Sequence, residues 1–206
     1  MTTPDDRLKA QQLFRQGVSL LAEQTPEFSP TKAIHCFRKA LDRDPSFYEA
    51  RFWLLQTLVY RKPHRITEAL KESGILIQMN PSNSEAHFLR GLLLESSGNY
   101  PASILEYEMS IGLDRNLQAK SYLRLGLVYR KLGKFAESIA ALEKAIELVP
   151  AVAKNSAHMF LAESYNDAGR TEDAMGQWRL VAKRCPEWPD FDAPAKARKK
   201  LALYNV

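Results

Sequence analysis

Prolines divide this 206-residue sequence at a nearly constant interval. Pro45 and Pro81 stand 36 residues apart, Pro81 and Pro150 69, and Pro150 and Pro186 36 again. Arg115 falls at the vacant midpoint of the long interval. The underlying period is about 34 residues with small insertions. A period of this size marks supersecondary units that cannot bury a hydrophobic face alone and must stack on their neighbours.

The segments before these marks align on one pattern. It runs Ala33-x3-Phe37-x2-Ala40, then Ala69-x3-Ser73-x2-Leu76, then Ser103-x3-Tyr107-x2-Ser110. Ser138-x3-Leu142-x2-Ala145 and Ala174-x3-Trp178-x2-Val181 complete it. Spacings of four and three put each triplet on one helical face. Small residues at such positions let another helix approach. Proline then ends the helix, because it has no N–H and clashes with the preceding turn. A partner helix precedes each triplet, marked by Trp53…Thr57…Tyr60, Gly91…Leu94, Tyr122-x2-Leu125-Gly126-x2-Tyr129 and Leu161-Ala162-x2-Tyr165. Gly98, Gly133 and Gly169 follow these at the place of a left-handed C-cap. Ser46-x-x-Glu49 and Ser82-x-x-Glu85 have the spacing of capping boxes.

This pattern resembles the tetratricopeptide repeat (TPR) family. The best match is 119–152, where Tyr122, Leu125, Gly126, Tyr129, Gly133, Ser138, Leu142, Ala145 and Pro150 occupy the family's packing positions. The other repeats fall at about 10–47, 50–83, 84–117 and 155–188. Three depart from the family: Thr25–Pro30 lengthens the first inter-helix turn by about four residues, Lys62-Pro63-His64 replaces the second turn's glycine, and Arg115 replaces the third closing proline. Beyond the last repeat, residues 192–204 have the pattern of a capping helix, with Asp192 as N-cap and Ala197, Leu201 and Tyr204 on one face. The first twelve residues suit an N-terminal lead, as a cap or an arm. The resemblance thus implies an all-α fold: a right-handed α-solenoid of about five helix-turn-helix repeats in one domain over 1–206.

It also implies a concave groove lined by the first helix of each repeat, which in the family binds peptides or partner helices. In that register Leu54, Leu58, Phe88, Leu92, Leu123 and Leu127 form an apolar floor. Arg51, Arg61, Lys120, Arg124, Arg130 and Lys131 edge it. Such a mixture suits a partner segment with apolar anchors and acidic flanks. The expected role is a non-enzymatic adaptor or scaffold. Self-assembly through groove or terminal faces is the alternative, and a basic nucleic-acid-associated module is a weaker one. The family's clamp for a chaperone C-terminal carboxylate is mostly missing. Lys120 and Arg124 match its last pair, but Leu54, Leu58 and Leu89 stand where polar residues are required.

Chemistry has little to stand on. His35, His64, His87 and His158 lie in different repeats without metal-ligand spacing, and no cofactor or metal is expected. His87 and His158 share a repeat position, as a packing substitution would. His35 and Cys36 point about 100° apart on a helix, so Cys36 has the character of a small buried hydrophobe. Glu106 and Glu108 have the pattern of surface charges. Neither Cys36 nor Cys185 belongs to a CxxC motif, and a chain with 45% hydrophobic residues needs no disulfide framework. No basic leader or long apolar segment is present. A cytoplasmic location is therefore expected. The net charge of +5 permits acidic partners without requiring them.

Overall fold

The computed structural model describes residues 2–22, 27–61, 64–148, 154–183 and 193–204, and among them every regular element is an α-helix. In chain order these are α1 (Pro4–Ser19), α2 (Pro30–Arg43), α3 (Tyr48–Arg61), α4 (Ile66–Met79), α5 (Ser84–Ser96) and α6 (Tyr100–Leu113). There follow α7 (Arg115–Lys131), α8 (Phe135–Leu148), α9 (Lys154–Asp167), α10 (Thr171–Lys183) and α11 (Ala193–Ala202). The described residues thus form five helix pairs and an eleventh helix. All members of the five triplets are buried, from Ala33, Phe37 and Ala40 to Ala174, Trp178 and Val181. The spacing of four and three therefore defines the packing face of α2, α4, α6, α8 and α10.

The chain forms two compact units, Met1–Glu106 and Tyr107–Val206. The core of the first gathers Phe37, Leu54, Leu55, Leu58, Leu76 and Leu89, with Phe14, Phe47 and Trp53 packed around it. The core of the second gathers Leu142, Leu161, Tyr165, Trp178 and Val181, closed by Ala193 and Ala197 of α11. Gly98, Gly133 and Gly169 take φ of +79°, +72° and +76°, as the C-cap reading requires. In each case the following residue's N–H reaches the carbonyl five positions back, for example Lys134 to Tyr129 at 2.9 Å. These are Schellman ends, which satisfy the last helical carbonyls.

Helix starts depart from expectation in instructive ways. Neither Ser46 nor Ser82 caps a helix. The Ser46 and Ser82 backbone N–H groups donate to Asp44 Oδ1 and Asn80 Oδ1, both at 3.1 Å. The serines are thus held backward into Asx turns, and α5 is capped by Asn83, which accepts from Ala86 N at 2.8 Å. Asp114 makes the same turn, accepting from Asn116 N at 2.8 Å. This explains how the third repeat keeps register without its proline: the turn is carried by the Asx residue before it. Asp114 is also the whole link between α6 and α7, so α7 begins at Arg115, four residues ahead of the expected start. The first helix likewise begins at Pro4, with Thr3 and Asp6 in a true capping box. The proposed lead and arm are simply the first two turns of α1. The expected roles of Pro150, Pro186 and Asp192, like Cys185, Lys62 and Pro63, lie outside the described residues.

Candidate functional site

In the second unit, α7 presents Lys120, Leu123, Arg124, Leu127 and Lys131 at helical spacing along one face. Lys120 and Lys131 are exposed, while Leu123, Arg124 and Leu127 are half-buried. Leu123 leans on the second core without being covered by it. Arg130 behaves differently. Its Nε donates to Asp167 Oδ2 at 2.6 Å, and its guanidinium also pairs with Glu163. Burial works against the Arg130 charge, but the Asp167 hydrogen bond and the Glu163 carboxylate outweigh it and raise its pKa above the ordinary arginine value. Arg130 is a strut from α7 to α9, not a rim cation.

The first unit corrects the sequence reading more strongly. Leu54 and Leu58 are 1% exposed and belong to the core, and Phe88 is also buried. Leu92 is half-buried against the same cluster. The physical reason is the setting of α3, which packs on α2, α4 and α5 with its Leu54 and Leu58 side turned into their shared core. Arg51 is buried too. Its guanidinium pairs with Glu72 and donates to Pro45 O at 2.9 Å, fixing α3 to α4 and to the turn before it. Arg61 is exposed, with its guanidinium 5.8 Å over the Phe28 ring. The structure therefore brings Lys120, Leu123, Arg124, Leu127 and Lys131 together on an open face. It withdraws Arg51, Leu54, Leu58, Phe88 and Arg130 from that role.

On α3 the first unit keeps a cleft of about 230 Å³ lined by Leu21, Trp53, Gln56, Thr57, Tyr60 and Arg61, apart from a larger cavity of about 800 Å³ beside Asp6, Leu13, Lys39 and Arg43. Tyr60 is 56% exposed, whereas Tyr165, at the same repeat position, is buried. Burial, then the hydrogen bond to the Glu143 carboxylate, pushes the Tyr165 phenol up to about 12. The signal for the cleft was present in Gln56 and Thr57, which stand where the fourth repeat has Leu125 and Gly126.

A second polar cluster was also missed. His87 Nδ1 lies 2.7 Å from Glu106 Oε2, and its Nε2 lies 3.1 Å from Pro81 O. Arg90 Nε donates to Glu106 Oε1 at 3.1 Å, and a terminal guanidinium nitrogen of Arg90 donates to Leu70 O and Ser73 Oγ. Glu106 is thus part of a half-buried network, while Glu108 is exposed. His158 repeats the arrangement, with Nδ1 2.8 Å from Gln177 Oε1. In both repeats the partner lies 19 residues on, so the shared histidine position is a polar brace between helices. Cys36 is buried and its thiol is pushed up by that burial, while His35 is exposed. Among the described residues no group of three or more His, Cys, Asp or Glu could hold a metal ion. Among the same residues no helix is long and apolar enough to cross a membrane.

Helix pairs that recur at one sequence period, each burying the same triplet of positions, define a helical-repeat protein. Two tetratricopeptide repeat profiles match the chain, over residues 58–116 and 117–182. The chain belongs to the tetratricopeptide repeat family. Among curated proteins none matches. Among solved structures, MamA 41-end from Desulfovibrio magneticus RS-1 is similar at TM-score 0.75 and 17% identity, over 88% of this chain and 95% of that one. TTC0263, a thermophilic TPR protein in Thermus thermophilus, is similar at TM-score 0.65 and 22% identity, over 94% and 99%. YrrB, described as a TPR protein with an unusual peptide-binding site, is similar at TM-score 0.70 and 16% identity, over 95% and 94%. These likenesses establish the fold.

Proposed function

We propose that this chain is a non-enzymatic adaptor that takes a segment of a partner protein on the open face of α7. One observation carries the reading: a stripe of half-buried leucines, Leu123 and Leu127, bounded by the exposed cations Lys120 and Lys131. Apolar anchors from a partner would cover the leucines, and acidic flanks would meet Lys120, Arg124 and Lys131. Charges at such a rim steer and set register, while the desolvated centre supplies most of the affinity. The fold shared with YrrB, itself described as having a peptide-binding site, supports the reading.

A displayed peptide library panned against the full chain tests it. Enrichment of peptides with acidic residues beside leucine or phenylalanine is the expected result. Lys120→Glu with Arg124→Glu should then weaken the enriched peptides about tenfold, on the scale of a few exposed charge pairs. Affinity unchanged by this double reversal would remove α7 from the site. Light scattering that rises with concentration in the wild type and falls in the variant would assign the face to a second copy of the chain.

A further inference from the structure

Two of the described helices, α7 and α11, carry cations and no acidic residue. α11 carries Lys196, Arg198, Lys199 and Lys200 and no acidic residue. It is the denser of the two, with four cations in 10 residues against five in the 17 of α7, where Arg130 is already paired with Glu163 and Asp167. Its inner side is fixed: Ala193, Pro194 and Ala197 are buried, and Leu201 packs against the second core. At 3.6 residues per turn the opposite crest consists of Ala195, Lys199 and Ala202, with Lys196 and Lys200 on one flank and Arg198 on the other.

The residues after α11 sharpen the picture. Tyr204 stacks on Trp178 at 5.7 Å and its hydroxyl donates to Asn166 Oδ1 at 2.5 Å. The turn is closed by Leu203 N donating to Lys200 O at 3.1 Å. Anchored on both sides, Leu203 is held outward at 71% exposure, the most exposed large hydrophobic among the described residues. On α10, Lys183 and Arg179 are exposed and Leu180 is 48% exposed. Arg198 reaches back to Ala182 O at 3.5 Å, which sets the last turn of α10 beside α11.

We propose that the outer face of α11 rests on an anionic lipid surface. A convex crest cannot enclose a peptide's anchor, but it lies flat on a plane of headgroups. Cations on the flanks meet lipid phosphates and carboxylates, while small apolar residues and Leu203 enter the boundary with the acyl chains. A nucleic-acid backbone would use the cations and leave Leu203 without a role. Among the described residues the aromatic ring that follows the helix, Tyr204, is already stacked on Trp178, so it offers no platform for a base.

The test is sedimentation of the full chain with phosphatidylcholine vesicles and with vesicles that also contain phosphatidylserine. Binding is expected only with phosphatidylserine, and added salt should reverse it. Each basic residue near such a surface is worth about fivefold in binding. Lys199→Gln with Lys200→Gln should therefore lower binding roughly twenty-five-fold, and Leu203→Ser should lower it several-fold, with thermal melting curves unchanged. Failure to bind phosphatidylserine vesicles, or binding indifferent to the lysine pair, overturns the proposal. If Leu203→Ser binds at full strength and duplex DNA displaces the vesicles, the face is a polyphosphate site and the lipid assignment fails. Lys120→Glu with Arg124→Glu should bind vesicles as the wild type does, so this proposal and the α7 adaptor reading fail separately.

Discussion

A Cβ built on Gly126 would stand 2.5 Å from Leu142 Cγ and 3.2 Å from the Ser138 carbonyl oxygen. The neighbours are a core side chain and helical backbone, neither of which can yield cheaply. Gly126→Ala should therefore destabilise the protein by about 1–3 kcal/mol, the range for overpacking a tight core. Gly176, inside α10, meets nothing within 4 Å at the same point. Gly176→Ala removes only the entropic cost of glycine in a helix and should stabilise by about 0.5–1 kcal/mol. Urea midpoints of the two variants should move in opposite directions, and a like shift in both would contradict the packing argument. The Gly126 position was legible because a small residue recurs there at the repeat period. Gly17 was not: its Cβ would stand 2.5 Å from Phe37, the same relation as Gly126 to Leu142. Its separation from its partner is 20 residues instead of 16, because the four extra residues of the first inter-helix turn shift the register.

Helices α2, α4, α6, α8 and α10 were legible to the residue in their buried faces, since one triplet served all five. Their ends were less so, because Ser, Asn and Asp compete for the same few backbone N–H groups across one or two positions. At α5 the outcome is specific. Asn83 accepts from Ala86 N and its amide also donates to the Tyr48 hydroxyl, while Ser82 is held by Asn80. Asn83→Ala should cost about 1 kcal/mol, the usual loss of an N-cap, whereas Ser82→Ala should stay within about 0.5 kcal/mol of wild type. Chemical denaturation resolves this difference, and equal effects would return the cap to Ser82. The open and closed faces of first helices were the least legible feature. Leu54 and Leu123 hold the same repeat position, yet Leu54 is core and Leu123 half-open. Exposure at that position depends on which neighbouring helices cover it, and the repeat pattern carries no such information.

For the whole chain, a stack of repeats makes stability close to a sum of local and nearest-neighbour terms. Gly17 and Gly126 offer a direct test, because each closes one helix pair against a different side chain: Gly17 faces Phe37 in α2, and Gly126 faces Leu142 in α8. Gly17→Ala and Gly126→Ala should each lower stability by about 1–3 kcal/mol. Sites without common partners add to within about 0.5 kcal/mol, so the double variant should lose the sum of the two. Unfolding followed by circular dichroism and by tryptophan fluorescence, on all four proteins of the cycle, measures the coupling. If the double variant loses much less than the sum, strain introduced in one helix pair is being relieved in the other, and nearest-neighbour packing would not account for the stability of this chain.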